Sequence, residues 1–567
     1  MLEFANVESL NGLWQFAFFR NEEPATEVIL NTPLDEYEAV PGCFDTKIRF
    51  GEHGTGVYRR TFRGKGWLQV RFEGLGLRGK VWADQVFLGS LDAPFTPYEF
   101  QFDAGDTERE IVLTVAVSNI LDECDGSLFH EFYDFYSFGG IYRGVALRRL
   151  ASPTGNGIAN LKVTPLETAV GRFRVQVDFS QTIETTLSLS LDNSPLASIE
   201  VSGKSAIWEG TVAGLTPWST ENPVLHELTA EIPTDYAKTT FGLRTLSWNN
   251  GELSLNGQPL KLYGFCRHDS HPEFGYAMPP ALVLSDLLLI KNSGCNFIRG
   301  SHYTQSDFFL DCCDRLGLLV WEESCGWGNS QTQCGNEIFR TAQLDQTERM
   351  VERHFNHPSV ILWGVLNECD SSAALTRELL QQLFDLLHQL DSSRPVTFAS
   401  NRYEADIVLD LCDIIAFNVY PGWYDDPMIA DGSPNVKKRL TELENYLSSP
   451  AYADKPWIIS EIGAAAIAGE HSGFRWSEEY QEKILNEVLD YLESSSRCCG
   501  MSWWLFANAN TYLGSGNILM RPRGFNNKGL LTEYRKPKLA WNTLCRRMKQ
   551  LKNQAEKSSQ NGKEGSL

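Results

Sequence analysis

At 567 residues the chain is too long for one hydrophobic core, and its length predicts about three or four domains. An apolar fraction of 42% supplies core material, and a formal charge of −22 excludes a nucleic-acid-binding surface. An anionic ligand would need a local cationic cluster, because the overall field repels it.

Residues 1–20 carry Glu3 and Glu8 and lack the cationic start and apolar segment of a signal peptide. No run of about 18 apolar residues occurs, so no membrane partner is expected. Thirteen cysteines include the vicinal pairs Cys312-Cys313 and Cys498-Cys499 but no C-x-x-C pattern. An odd number without metal spacing fits reduced, buried thiols and a cytoplasmic location. A homo-oligomer is left open.

Residues 1–151 read as short strands and turns. The segments 56–62, 67–72 and 110–117 alternate or run apolar between Gly, Asp and Pro, as a β-sandwich or jelly roll requires. The loop 129–140 is dense in aromatics. It serves either to pack against the next domain or to bring Asp134 to a sugar hydroxyl. Residues 152–246 form a second β-rich unit. The stretch 173–179 alternates cleanly and 186–191 does so again, and about 95 residues suit a seven-stranded immunoglobulin-like sandwich.

From residue 247 strands alternate with helical stretches, the pattern of βα units. Eight strands are predicted, at 259–265, 296–299, 318–322, 360–367, 396–400, 414–418, 457–461 and 501–504. Between them lie helical periods, such as Leu379, Leu380, Leu383, Leu386 and Leu387 on one face. Eight such units over 247–551 predict a (β/α)8 TIM barrel. Residues 552–567, rich in Lys, Gln, Ser, Gly and Glu, are expected to be a disordered tail.

Chemistry belongs at the carboxyl ends of barrel strands. The fourth predicted strand runs Val-Ile-Leu-Trp-Gly-Val-Leu into Asn367-Glu368, and the seventh ends in Ser460-Glu461. A carboxylate there is costly unless it has a task. Strands four and seven face each other across a barrel, so the two glutamates are expected as the paired carboxyls of glycoside hydrolysis. A gap of about 5–5.5 Å serves a retaining double displacement and a wider one inversion. Glu368 is then the acid/base and Glu461 the nucleophile, which needs nearby donors to stay ionised. Arg299 after strand two and Tyr420 after strand six are the candidates.

His268 and His271 follow strand one and His302 follows strand two; the three lack the close helix spacing of a zinc site and are read as contacts to sugar hydroxyls. Trp504 offers an indole face to a sugar ring, whereas Trp503 is read as core. His354 and His357 precede strand four at the opposite end and receive no role. Three cations, Arg521, Arg523 and Lys528, lie within eight residues of an acidic chain. Asn526 and Lys528 share a side if the backbone there is extended.

The motifs Asn296-Phe297-Ile298-Arg299-Gly300-Ser301-His302-Tyr303, Asp314-Arg315-Leu316-Gly317-Leu318-Leu319-Val320-Trp321-Glu322-Glu323, Asn356-His357-Pro358-Ser359 and Asn367-Glu368 resemble glycoside hydrolase family 2. That family includes β-galactosidases, β-mannosidases and β-glucuronidases. The resemblance covers about residues 8–545 and implies a jelly roll, an immunoglobulin-like sandwich and a barrel. It also implies a retaining mechanism, with Asn367 on the 2-hydroxyl of the sugar.

Within the family, 467–472 and 476–481 resemble the β-glucuronidase branch, as do Asn418, Tyr420, Gly422, Trp423 and Tyr424. Asp134 falls where that branch supplies a jelly-roll aspartate, and Asn526-Asn527-Lys528 matches the Asn-x-Lys element that holds a substrate carboxylate. Three stretches depart from it. The loop 267–273 is more like the galactosidase form, Ile462 follows the nucleophile where Tyr is usual, and Asn508 replaces an aspartate. Ser324-Cys325-Gly326-Trp327 lacks the histidine that completes a magnesium site in the large galactosidases, so no metal and no cofactor is expected. The implied activity is hydrolysis of terminal β-D-glucuronides by an exo-acting enzyme. The alternatives are a β-galactosidase or another β-uronidase, and, in a different class, a non-catalytic carbohydrate-binding protein.

Overall fold

The computed structural model describes residues 2–121, 128, 135–151, 157–424, 431–512 and 520–564. The first unit is an antiparallel sandwich. One sheet has the order Glu36–Val40, Gly12–Arg20, Gly54–Gly64, Arg109–Ser118, Arg78–Ala83, Val86–Leu91; the other has Val7–Ser9, Val145–Leu150, Trp67–Phe72, Tyr98–Asp103. Alternation decides which face is buried: Leu68, Val70 and Phe72 point at Ile111, Leu113 and Val115 across the core.

The second unit contains Ile158–Glu167, Arg172–Leu191, Ser194–Thr211, His226–Ile232 and Asp235–Phe241. Where two strands were expected, at 173–179 and 186–191, a single strand of 20 residues runs through both. Its pairing with Ser194–Thr211 shifts register between Asp178 and Ile183, and such a bulge bends the strand instead of ending it. Glu3–Phe4 pairs with Asp235–Phe241, so the first residues of the chain belong to this sheet and not to the first sandwich.

The barrel strands are Leu262–Arg267, Phe297–Gly300, Leu319–Glu323, Val360–Gly364, Val396–Thr397 with Ala399–Ser400, Ile415–Asn418, Trp457–Ile462 and Cys498–Trp503. All neighbours pair in parallel, and strand eight pairs with strand one. Strand five is split at Phe398: its first half pairs with strand four and its second with strand six. Helices follow the strands, except that a 3-10 turn, Tyr403–Ala405, follows strand five. Phe297, Leu319, Trp321, Leu362, Ala416 and Ile458 pack in one cluster inside the barrel. Ile298, Val320, Trp363, Phe417 and Ile459 face the helices. Gly364 is required by this packing, because a Cβ there would lie 2.0 Å from Trp321 Nε1.

Several boundaries differ from expectation: strand one is Leu262–Arg267 and not 259–265, and strand eight is Cys498–Trp503 and not 501–504. Strand four ends at Gly364, not Asn367, because Leu366 (φ 37°) and Glu368 (φ 52°) turn into the left-handed region. The last helix spans Leu539–Glu564 and so runs past Leu551, where a disordered tail was expected. Buried Ala540, Trp541, Leu544 and Met548 anchor its first turns on the barrel.

The first sandwich docks at the barrel mouth. Phe95 stacks on Tyr303 at 3.8 Å, Arg143 Nη2 donates to Thr304 O (2.7 Å), and Tyr276 Oη donates to Tyr136 O (2.8 Å). The second sandwich holds the other end, where Arg244 donates to Pro358 O (2.9 Å) and Val360 O (2.7 Å).

Candidate active site

Arg299, fully buried in strand two, is the hub of the mouth. Its guanidinium lies 4.6 Å over the Trp321 ring. Nη1 donates to Glu461 Oε1 (2.7 Å), Nη2 to Asn367 Oδ1 (2.8 Å), and Nε to Glu323. Tyr420 Oη donates to the other Glu461 oxygen at 2.5 Å. Glu461 thus has donors on both oxygens. Burial raises its carboxyl above the ordinary range, and Arg299 and Tyr420 oppose that rise without cancelling it. Burial and the charge of Glu461 hold the Tyr420 phenol well above its ordinary value, so it stays a donor.

Glu368 reaches the group through Asn418, whose Nδ2 donates to Glu368 Oε1 (2.8 Å) and Asn367 Oδ1 (3.0 Å). Asn418 is oriented in turn by Ser460 Oγ, which donates to its Oδ1 at 2.8 Å. The strained turn is held by backbone bonds: Asn367 N donates to Gly326 O (2.8 Å) and Glu368 N to Ala399 O (2.9 Å). Left-handed backbone at Leu366 and Glu368 has a cost that this scaffold offsets. It leaves Asn367 Nδ2 buried without a hydrogen-bond partner among the described residues, ready to donate to a hydroxyl.

His302 stacks on Trp504 (5.2 Å, 15°), and His268 meets both rings edge-on. Burial and then the Arg299 charge push the His302 imidazole well below its ordinary pKa, so it is neutral. Its Nε2 lies 3.6 Å from Glu461 Oε1. Trp503 is core, its Nε1 donating to Lys528 O (3.1 Å).

Lys528 is 1% exposed. Its Nζ lies 3.4 Å from Asn526 Oδ1, 5.7 Å from the Tyr420 ring centre and 5.1 Å from that of half-exposed Tyr424. No carboxylate pairs with it among the described residues. Arg523 differs: its guanidinium is committed to Glu533 (2.9 Å) and Asn527 Oδ1 (3.2 Å). His271 is turned to Phe274 and Tyr534, and no contact among the described residues ties it to the glutamates. Asp134 lies outside the described residues.

Glu323 and Lys538 are additions. Along strand three Glu322 points outward to His354 (2.8 Å) and Glu323 inward to Arg299 and His302, as alternation dictates. The vicinal glutamates at a strand end were the available signal. Lys538 Nζ, buried, donates to Ala466 O (2.8 Å), Asn527 O (2.9 Å) and Asn508 Oδ1 (3.0 Å), fastening the segment before Lys528. Asp311, Asp314 and His357 cluster at the far end of the barrel, but Asp314 is occupied by His357 (2.6 Å) and Ser359 N (3.0 Å). The arrangement at the mouth can supply a buried carboxylate with a donor on each oxygen, a second carboxyl, donors for hydroxyls and an enclosed cation.

The profile "Glycosyl hydrolases family 2, TIM barrel domain" matches residues 246–553, and "Glycosyl hydrolases family 2, sugar binding domain" matches 7–151. A β-glucuronidase of Streptococcus agalactiae is 27% identical over 600 residues, covering 94% of each chain. The structure of a β-galacturonidase from Eisenbergiella tayi bound to galacturonate superposes with a TM-score of 0.86 at 31% identity, covering 96% of this chain and 97% of that one. A Faecalibacterium prausnitzii β-glucuronidase gives 0.85 at 26%, with 96% and 97% covered. With the barrel profile spanning more than half of its length, the chain belongs to glycoside hydrolase family 2.

Proposed function

We propose that this glycoside hydrolase is a retaining, exo-acting β-uronidase whose substrates are terminal β-D-glucuronides. The observation that carries the reading is Lys528, a buried cation beside Asn526 whose neighbour Tyr420 bonds the nucleophile candidate. In a chain of charge −22 such a cation has a use in holding a sugar carboxylate close to Glu461. The β-glucuronidases similar to this chain support the same reading. Glu461 attacks the anomeric carbon and Glu368 protonates the departing oxygen, giving a covalent glycosyl-enzyme. Glu368 then takes a proton from water, and that water releases the sugar. Asn367 Nδ2 donates to the 2-hydroxyl, a bond that strengthens as the ring flattens.

A β-galacturonide is the second reading, favoured by the 31% identity to the galacturonidase; the two sugars differ at one hydroxyl and share the carboxylate. The test is a panel of nitrophenyl β-glucuronide, β-galacturonide and β-galactoside with parent, Glu461→Gln and Lys528→Ala. Glu461→Gln is expected to abolish hydrolysis. Lys528→Ala is expected to lower kcat/KM on uronides by about 10²-fold while the galactoside changes little, the loss that follows removal of a charged partner. Unchanged turnover in Glu461→Gln sinks the catalytic assignment, and a uronide preference that survives Lys528→Ala sinks the clamp.

A further inference from the structure

Glu323 has no part in the double displacement, yet it occupies the same cation as the nucleophile candidate. Arg299 presents Nε to Glu323 and Nη1 to Glu461, and Nη2 is taken by Asn367. One buried positive charge therefore serves two buried carboxylates. His302 lies beside them, with Nδ1 3.2 Å from Glu323 Oε2; its Nε2 is 3.6 Å from Glu461 Oε1 and makes no hydrogen bond among the described residues, and the ring is neutral. We propose that Glu323 is a positioning residue that sets the basicity of Glu461 by drawing off part of the Arg299 charge. The inference rests on Glu461 being the nucleophile.

An enclosed Arg299 paired with Glu461 alone would neutralise it almost completely. At short range in a poorly polarisable interior that interaction is strong, and it would leave a weakly basic carboxylate. A nucleophile must be ionised at working pH but still able to share electrons with carbon. A second carboxylate on the guanidinium meets both needs. The other groups facing Glu461 are accounted for. Tyr420 after strand six donates to it, Tyr403 after strand five interacts with it electrostatically, and Glu368 after strand four reaches the group through Asn418. The Cys266 thiol of strand one is held on Ser460 O at 3.2 Å and stays protonated, pushed up by burial. Among the described residues Glu323 is the carboxylate that shares a hydrogen-bonded cation with Glu461.

The experiment is the pH profile of kcat/KM for parent, Glu323→Gln and Glu323→Asp, on whichever nitrophenyl glycoside the parent cleaves fastest. The acid limb reports the nucleophile in the free enzyme. Glu323→Gln keeps an acceptor for Arg299 but removes the charge, so the limb is expected about one pH unit lower, with kcat at the plateau several-fold down. Glu323→Asp draws the charge away from Arg299 and is expected to move the limb in the same direction by less, which keeps the test open should the first variant not fold. A role limited to bracing Arg299 would loosen its bond to Glu461 and raise the limb. A limb that rises, or stays where the parent has it, overturns the proposal. Hydrolysis persisting in Glu461→Gln would instead indict the nucleophile assignment.

Discussion

Tyr420 and Glu323 act on Glu461 with opposite sign, and this makes the residue scale testable. The phenol donates to the carboxylate and so favours its charged form, whereas Glu323 disfavours it by occupying Arg299. Tyr420→Phe removes a donor to a charged group, worth about 1.5–3 kcal/mol, so kcat is expected to fall roughly 10- to 100-fold. Its acid limb should also move to higher pH, because the carboxylate without its donor protonates more readily. Rate measurements across pH 4–8 would show the limb of Tyr420→Phe above the parent. A lower limb in that variant would mean the phenol does not act through the 2.5 Å bond.

At the scale of elements, the loops after strands seven and eight act as one piece because Lys538 ties them together. Its three bonds end on Ala466, Asn508 and Asn527, and Ala466 N donates to Asn527 O (3.0 Å). Lys538→Met keeps the length but loses all three bonds, and the backbone carrying Asn526 and Lys528 should loosen. KM for the uronide is expected to rise roughly tenfold, the equivalent of about 1.4 kcal/mol, with a smaller change in kcat. Michaelis kinetics beside a melting curve would separate this from unfolding; an unchanged KM in a folded variant removes Lys538 from the account.

Lys538 also shows where sequence reading stops. It sits in Arg535-Lys536-Pro537-Lys538, which reads as surface, and nothing local marks one of three cations as buried. The barrel strands were legible because strands buried on both faces run continuously apolar. Glu368 and Glu461 stood out as carboxylates at the ends of such runs. Glu323 did not, since which of two adjacent glutamates faces inward depends on the frame of the whole strand. Likewise Asn526 and Lys528 were legible as a pair, but the commitment of Arg523 to Glu533, ten residues on, was not. The bend in Arg172–Leu191 escaped because bulge residues interrupt the alternation as a turn would.

At the scale of the whole molecule, a charged seam joins the barrel to the first sandwich, and it depends on a histidine being charged. His354, at the end of Glu337–His354, lies with Nδ1 2.8 Å from Glu322 Oε1 and Nε2 3.0 Å from Asp307 Oδ1. Asp307 also pairs with Arg353, which reaches Glu73 of the sandwich at 3.7 Å. Burial opposes charge on the imidazole, but Glu322 and Asp307 outweigh it and lift His354 to about 9. The unfolded value is about 6.5. A folded-state pKa raised in this way contributes stability that is fully present below the unfolded value and is lost as pH rises through the folded one. The loss therefore falls between about pH 6.5 and 9, and a shift of this size corresponds to about 3 kcal/mol. His354→Gln cannot take the proton, so the gap in unfolding free energy between parent and variant is expected to be widest at pH 6. By pH 10 it should have narrowed by about that amount. Taking the difference between the two proteins cancels other groups that titrate in this range, among them Lys538, which burial pushes down to about 7. Urea unfolding at pH 6, 8 and 10 measures the gap, and a gap independent of pH would mean that His354 is neutral between its two carboxylates and that the seam is held by Arg353 alone.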